Sequence, residues 1–366
     1  MKKRFQRPLF ALIFFAVSGA HGQSIFTWSP NSADSLLSNP ANWSGGSLPT
    51  SDGNAQLRFG STNRSLILVD ASPLQIHSLA FTGSYNSYHF ASPDGADLLI
   101  GTGGVTVPAS GNATVVSDSS IFIGLAGDQT WDIGGHLTVR GMISNVPDFS
   151  SALTKSGTGT LRLEAENNFS GLRVEAGTIE ISTSSHHEGG FIYVSPVGLG
   201  DLTLADNTTF RSTGQDVQLH NNIVLGNHVT LDSGDFDSLQ LAGTVTVGNA
   251  NTTIKVAGEQ PVLFTGTVDG AADTNLTFTS PTGRFGGAGF ADVFSDNIKT
   301  LTADRAALLF FADVPETITL HATNNGYISA AAAPEEEGRK EGRQGQARQE
   351  GWEEGDQEEV IAGQST

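Results

Sequence analysis

Between Ser24 and Ser329 apolar residues arrive in alternating runs of three to five, and almost every run is closed by Gly, Asn, Asp, Ser or Thr. Leu161-Arg162-Leu163, Leu202-Thr203-Leu204, Val229-Thr230-Leu231, Val245-Thr246-Val247 and Leu276-Thr277-Phe278 are examples. A period of two over so few residues, bounded by turn formers, is the signature of short strands with one buried face. Thr between two apolar neighbours suits the outward face of the pleat. Leu301 to Phe311 reads either as a helix or, at Ala307–Phe311, as a buried strand.

Short strands at such intervals admit a sandwich, a barrel or a solenoid. The solenoid is favoured on three counts. Many strands are only three residues long, as in coils that turn a corner after each strand. Gly and Asn stand at the corners, where positive φ is needed. The pattern also runs for about 300 residues without a break, beyond the size at which one globular core stops growing, whereas stacked coils have no such limit. The spacing is irregular and fixes no coil length.

The two ends differ from this body. Lys2, Lys3, Arg4 and Arg7 precede an apolar stretch from Leu9 to Val17, and small residues lead to a cleavage point after Ala20-His21-Gly22. This three-part pattern predicts an export signal over residues 1–22; the apolar run is about half the ~20 residues of a membrane-spanning helix. From Pro334 the chain is Glu, Gly, Arg and Gln, with Trp352 and Val360-Ile361 almost its only large apolar residues. A segment of that composition buries too little to offset its ordering entropy, so residues 334–366 are predicted to be a disordered tail. The β-solenoid domain is expected over 23–333, with no transmembrane segment.

Charge and composition exclude several functions. The chain has 366 residues and a net charge of -19, of which -17 falls on the body once the basic leader and acidic tail are set aside. That field repels a phosphate backbone, so nucleic acid is not an expected partner. With no cysteine there is no disulfide scaffold, thiol nucleophile or thiolate metal site. An exported chain without disulfides fits a bacterial surface or secreted protein.

Residues 153–181 go beyond pattern. They read Leu153-Thr154-Lys155-Ser156-Gly157-Thr158-Gly159-Thr160-Leu161-Arg162-Leu163, then Asn167-Asn168-Phe169-Ser170-Gly171, then Val174-Glu175-Ala176-Gly177-Thr178-Ile179-Glu180-Ile181. This resembles the autotransporter-associated β-strand repeat, with its L-x-K-x-G-x-G-x-L-x-L opening, N-x-[YF]-x-G middle and V-x-x-G-x-L-x-[VI] close. Gln129 to Ile133 and Leu137 to Ser144 resemble the segment that commonly precedes the repeat. Trp28, with Asn42-Trp43-Ser44-Gly45-Gly46 and Pro49, resembles the start of such passengers. The resemblance implies a right-handed parallel β-helix exposed outside the cell, and it brings no catalytic residue. Many relatives end in a membrane-embedded barrel or a sorting anchor; none is read here, and the break at Ala333-Pro334 raises a truncated passenger fragment as an alternative.

Within the repeat the residue logic is structural. Gly157, Gly159, Gly171 and Gly177 are expected at tight corners. Leu161, Leu163, Val174, Ile179 and Ile181 are expected to point inward and stack on neighbouring coils. Asn167 and Asn168 are expected to form a ladder, bonding backbone above and below.

The chemistry-bearing groups are scattered. Asp232, Asp235 and Asp237 offer oxygens at a spacing Ca²⁺ can use, but they lack the closing Glu of an EF-hand loop, and a solvated acidic loop is the plainer reading. Asp201, Asp206, Asp216 and Asp292 include no pair marked for glycoside hydrolysis. Arg140, Arg211 and Arg284 are too scattered to hold a uronate. His186-His187-Glu188, ahead of Gly189-Gly190, lacks the spacing of a zinc site and reads as loop. Gly101-Thr102-Gly103-Gly104 is not a phosphate loop, since no Lys-Ser/Thr follows. No catalytic, cofactor-binding or metal-ligating residue is therefore assigned, and no cofactor. Tyr85, Tyr88, Phe90 and the tryptophans are placed either against sugar rings or in the core. The expected function is a non-enzymatic surface or secreted protein with a structural or adhesive role, its partners neutral glycans or other surface proteins. A polysaccharide-active lyase or hydrolase on the same fold is the alternative.

Overall fold

The computed structural model describes residues 23–330, apart from 62–64, 84–86, 110–113, 148–149, 235–237, 282–286 and 292–293. The export signal and the tail expected at the two ends lie outside the described residues. So do Tyr85, Asp235, Asp237, Arg284, Asp292 and Trp352.

The described chain is all-β, a parallel β-solenoid of about ten turns. Strands far apart in sequence pair side by side into two long parallel sheets, of thirteen and twelve strands, and a third of six. Most coils contribute one strand to each of the first two faces, and the coils from Val217 onward add one to the third. In the C-terminal half the order is regular: Leu202–Leu204 on the first face, Thr209–Ser212 on the second, Val217–Leu219 on the third, and then the next coil. Leu202, Ile223, Val245 and Val268 stack in register, so a coil takes about 21 to 23 residues. In the N-terminal half Ile121–Leu125 supplies an additional face by pairing onto Ala96–Ile100 of the strand Ala96–Val107, and Ile143–Asn145 pairs in turn onto Ile123–Leu125. That long strand turns a corner at Gly101–Gly104; its start pairs with Ile121–Leu125 and its end with Asp132 and Ile133. The Gly-rich run is therefore a bend in a strand.

The triplets lie as their alternation requires. In Leu161-Arg162-Leu163, Leu202–Leu204, Val245–Val247 and Leu276-Thr277-Phe278 the flanking apolar residues are buried and the middle one is partly exposed. Where the register between coils is parallel and unshifted, as from Val262–Phe264 through Gly287–Phe290 to Ala307–Phe310, like residues stack on like. Phe264, Phe290 and Phe310 form a column with ring centroids 5.1 and 5.3 Å apart. Leu301 to Phe311 is two strands, Ile298–Asp304 and Ala307–Phe310, on the second and third faces, which resolves the helix alternative. A helix there would break both ladders.

The first coil is closed by residues 29–46. Two short 3₁₀ turns, Pro40–Asn42 and Ser44–Gly46, carry Trp43 inward, where its ring meets Trp28 edge-on at 5.3 Å and its indole N–H donates to Leu37 O at 2.8 Å. Asp34 ties this segment together, accepting from Asn39 and Asn42, each at 2.8 Å. The Asn39 amide is the main reason the Asp34 carboxyl is held down to about 2. Tyr88, Phe90, Trp28, Trp43 and Trp131 are all buried, so of the two roles open to them the structure takes core and end-cap.

Candidate functional site: a hairpin on a welded solenoid

The repeat segment occupies one full coil and the first two faces of the next. Leu153–Ser156 lies on the first face and Thr160–Leu163 on the second; Leu172–Val174 and Thr178–Ile181 repeat that order directly beside them. Leu161, Leu163, Val174, Ile179 and Ile181 are all fully buried. Gly157 and Gly177 have φ of 74° and 73°, a region that favours glycine. Gly159 is required for space: a Cβ there would lie 1.9 Å from Gly135 O. Gly171 is less constrained, since a Cβ would meet Asp201 O at 3.1 Å and its φ is ordinary.

The polar residues of the repeat weld coil to coil. Asn167 is buried; its Oδ1 accepts from Ile143 N at 2.7 Å in the preceding coil, and its Nδ2 donates to Pro196 O at 2.7 Å in the following one. Asn221 repeats the device, donating to Gly198 O and Gly200 O at 2.9 and 2.6 Å. Asn168 takes no part, and its Oδ1 is buried without a partner. Its side chain is one residue out of phase with the corner. Lys155 is fully buried, and its ammonium donates to Gly157 O at 2.9 Å and to Ala176 O at 2.7 Å, joining the corners of two coils. Burial pulls this ammonium down to about 8, although Asp132 favours the charged form.

The acidic candidates are occupied in the same way. Asp232 pairs with Arg211 at 2.7 Å, and Arg211 reaches Glu180 at 3.3 Å, so the three form a charge ladder across three stacked coils. The hydrogen bond to Asp232, with Glu180 adding, raises the Arg211 guanidinium above its ordinary range. Asp201, Asp206 and Asp216 stand at three successive corners of one coil, where they accept from Asn222, Asn227 N and Ser238 in turn. They face no common cleft. Arg140 pairs with Glu164 at 3.0 Å. Among the described residues no three His, Asp or Glu side chains converge as metal ligands, and no helix is long and apolar enough to cross a membrane.

Among the described residues one hairpin breaks the parallel order of the sheets. His186–Glu188 and Phe191–Val194 form an antiparallel hairpin in the stretch that would otherwise be a plain third-face passage. This corrects the reading of His186-His187-Glu188 as loop. Gly189 and Gly190 make the turn with φ of 61° and 87°, the two positive values that a tight two-residue hairpin needs. A Cβ at either would touch nothing within 4 Å, so the turn stands in open space. Both legs are stapled to the solenoid. Ser185 N donates to Gln218 O at 2.9 Å, and Ser195 exchanges backbone bonds with Asn167 at 2.9 and 3.0 Å. His187 stacks on His220 with centroids 4.6 Å apart and planes within 5°. Burial, with His187 adding, lowers the His220 imidazole. On the opposite face Phe191 is 71% exposed and Tyr193 55%, with His186 against Tyr193 at 6.0 Å. The signal that finds this element in the sequence is Gly189-Gly190 between His-His-Glu and the β-prone Phe-Ile-Tyr-Val.

Residues 153–181 match the family model of the passenger-associated-transport-repeat. Over 178 residues the chain is 30% identical to the Adhesin BmaC autotransporter of Brucella suis biovar 1 (strain 1330), a match that takes in 46% of this chain and 5% of that relative. The chain thus spans a small fraction of the length of the relative it matches. No solved structure matches it.

Proposed function

We propose that this chain, which carries a passenger-associated-transport-repeat over residues 153–181 and is similar to an autotransporter adhesin, is an exported bacterial protein, held at the surface or released, whose solenoid has a structural or adhesive role. The observation that carries this reading is the use made of the polar side chains. Asn167, Asn221, Lys155, Arg211 and the corner aspartates are bound to neighbouring coils, so the molecule presents its strand faces and one hairpin outward. Long stacked faces of this kind are suited to extended contact with a partner. The predicted leader over residues 1–22 supports export, and the relative's name, an adhesin, supports adhesion.

The test uses the full chain. Expressed with its leader in a bacterial host, it should be recovered outside the cytoplasm with a new N-terminus near Gln23. Beads coated with it should be retained on cell or glycan surfaces without altering them. Reducing ends or unsaturated uronates released from mixed polysaccharides, and abolished by changing one carboxylate pair, would replace this reading with the enzymatic one. Recovery in the cytoplasm with Met1 or Lys2 at its start would defeat export.

A further inference from the structure

We propose that the outer face of the hairpin 186–194 is a binding platform for neutral saccharide, with Phe191 and Tyr193 stacking on sugar rings and His186 and Glu188 bonding to hydroxyls. The assignment rests on the adhesive reading above and names its contact element. The register shifts between His186 and His187, leaving Tyr193 outside the pairing, yet Phe191 and Tyr193 are both exposed while Ile192 and Val194 are half-buried, so the two rings stand on the outer face. Glu188 lies directly opposite Phe191 in the pairing register, and His186 meets Tyr193, which sets the carboxylate and the imidazole beside the rings. Ile192, paired with His187, falls on the other face, toward His220.

Two exposed rings on a stapled hairpin call for an occupant, and size and charge select it. The two side chains present roughly 250–300 Å² together. A partner in a standard protein interface contributes about 800 Å². The patch is the size of one or two sugar rings. No Lys or Arg occurs between Ser182 and Gly200, and the chain carries -19 overall, so an anionic glycan or a phospholipid surface is repelled. A pyranose offers what remains, with C–H faces for aromatic rings and hydroxyls for a carboxylate and an imidazole. The stapled legs hold the rings in place before binding, which limits the ordering cost.

The experiment titrates the full chain with neutral trisaccharides (gluco-, manno- and galacto-configured, and the N-acetylglucosamine trimer), with trigalacturonate as the anionic comparator. Saturation-transfer NMR reads the contact. At least one neutral trisaccharide should bind and trigalacturonate should not. Phe191→Ala with Tyr193→Ala should weaken binding by at least about tenfold without lowering the Tm, since both rings are exposed. Tyr193→Phe should retain most of it. Binding undiminished in the double variant overturns the hairpin assignment. A chain that adheres to cells yet binds no neutral saccharide overturns the glycan assignment and leaves the adhesive reading standing; a chain that does neither defeats both. Adhesion lost when the target cells are treated with protease, and kept after periodate, assigns the face to a protein partner instead.

Discussion

At the residue scale the instructive position is Lys155. A charged side chain fully inside a β-solenoid is costly unless every donor is used, and here the ammonium meets the carbonyls of Gly157 and Ala176 from two successive corners. The repeat thus carries its own cation to neutralise the carbonyl-lined bend that its glycines create. The pH consequence has a definite sign. The ammonium titrates near 8 in the folded chain against 10.5 ordinarily, so between those values the unfolded chain binds more protons and stability rises with pH. From pH 7 to 9.5 this contributes on the order of 2 kcal/mol. Lys155→Met should be destabilised at pH 7 by about 1–3 kcal/mol through its orphaned carbonyls, and its deficit against the natural chain should grow toward pH 9.5. Urea unfolding of both proteins at the two pH values checks it; a deficit that shrinks with pH would put the proton elsewhere. The motif's glycines and inward Leu and Ile are legible in the sequence because they answer to local geometry. The role of Lys155 is not, because its partner Ala176 lies 21 residues on and becomes a neighbour only once the coil closes.

At the scale of elements the same limit separates what the sequence reveals from what it hides. Each strand triplet is visible alone, since alternation and a turn former need no partner. Glu180, Arg211 and Asp232 look unrelated in sequence, and stacking alone makes them a ladder. Asp232 is for that reason a poor candidate for calcium: its oxygens are taken by Arg211 and by Gly234 N at 2.9 Å. The ladder predicts a conditional loss. Arg211→Met leaves two largely covered carboxylates facing each other with no cation between them. Since the guanidinium is itself 44% exposed, the cost at pH 7 is about 1–2 kcal/mol. Arg211→Met combined with Glu180→Gln and Asp232→Asn should recover most of it in urea unfolding. A loss unrepaired in the triple variant would show that Arg211 acts by packing its stem. The hairpin was hidden for a different reason. Its first strand, His-His-Glu, has no apolar period, because all three residues are exposed and the hairpin borrows its order from the stapled ends.

At the scale of the whole molecule the backbone hydrogen bonds between coils, among the described residues, join each coil to the one before or after it, across roughly 20 to 35 residues. Stability in such an array is a sum of coil and interface terms, so it need not be lost in one step. The first coil has its own lid in Trp43, packed on Trp28 and Phe59 and bonded to Leu37 O. The middle coils have neighbours on both sides and a core of fully buried Leu, Ile and Val from Leu153 to Val247. Removing the lid should therefore be a local injury. In Trp43→Ala, amide exchange should accelerate through the strands from Ser24 to Phe81, while Leu202–Leu204, Ile223–Leu225 and Val245–Val247 keep their natural rates. The hairpin amides should exchange fast in both proteins. Peptide-resolved hydrogen exchange reads all three regions at once. If exchange accelerates equally along the chain, the coils form one cooperative unit, and the interfaces are strong compared with the coils they join. If it stays at the injured end, the molecule is a row of separately stabilised coils. A solenoid built that way tolerates insertion of a hairpin, because Asn167 and Gln218 hold its two legs while the strands on either side keep their register.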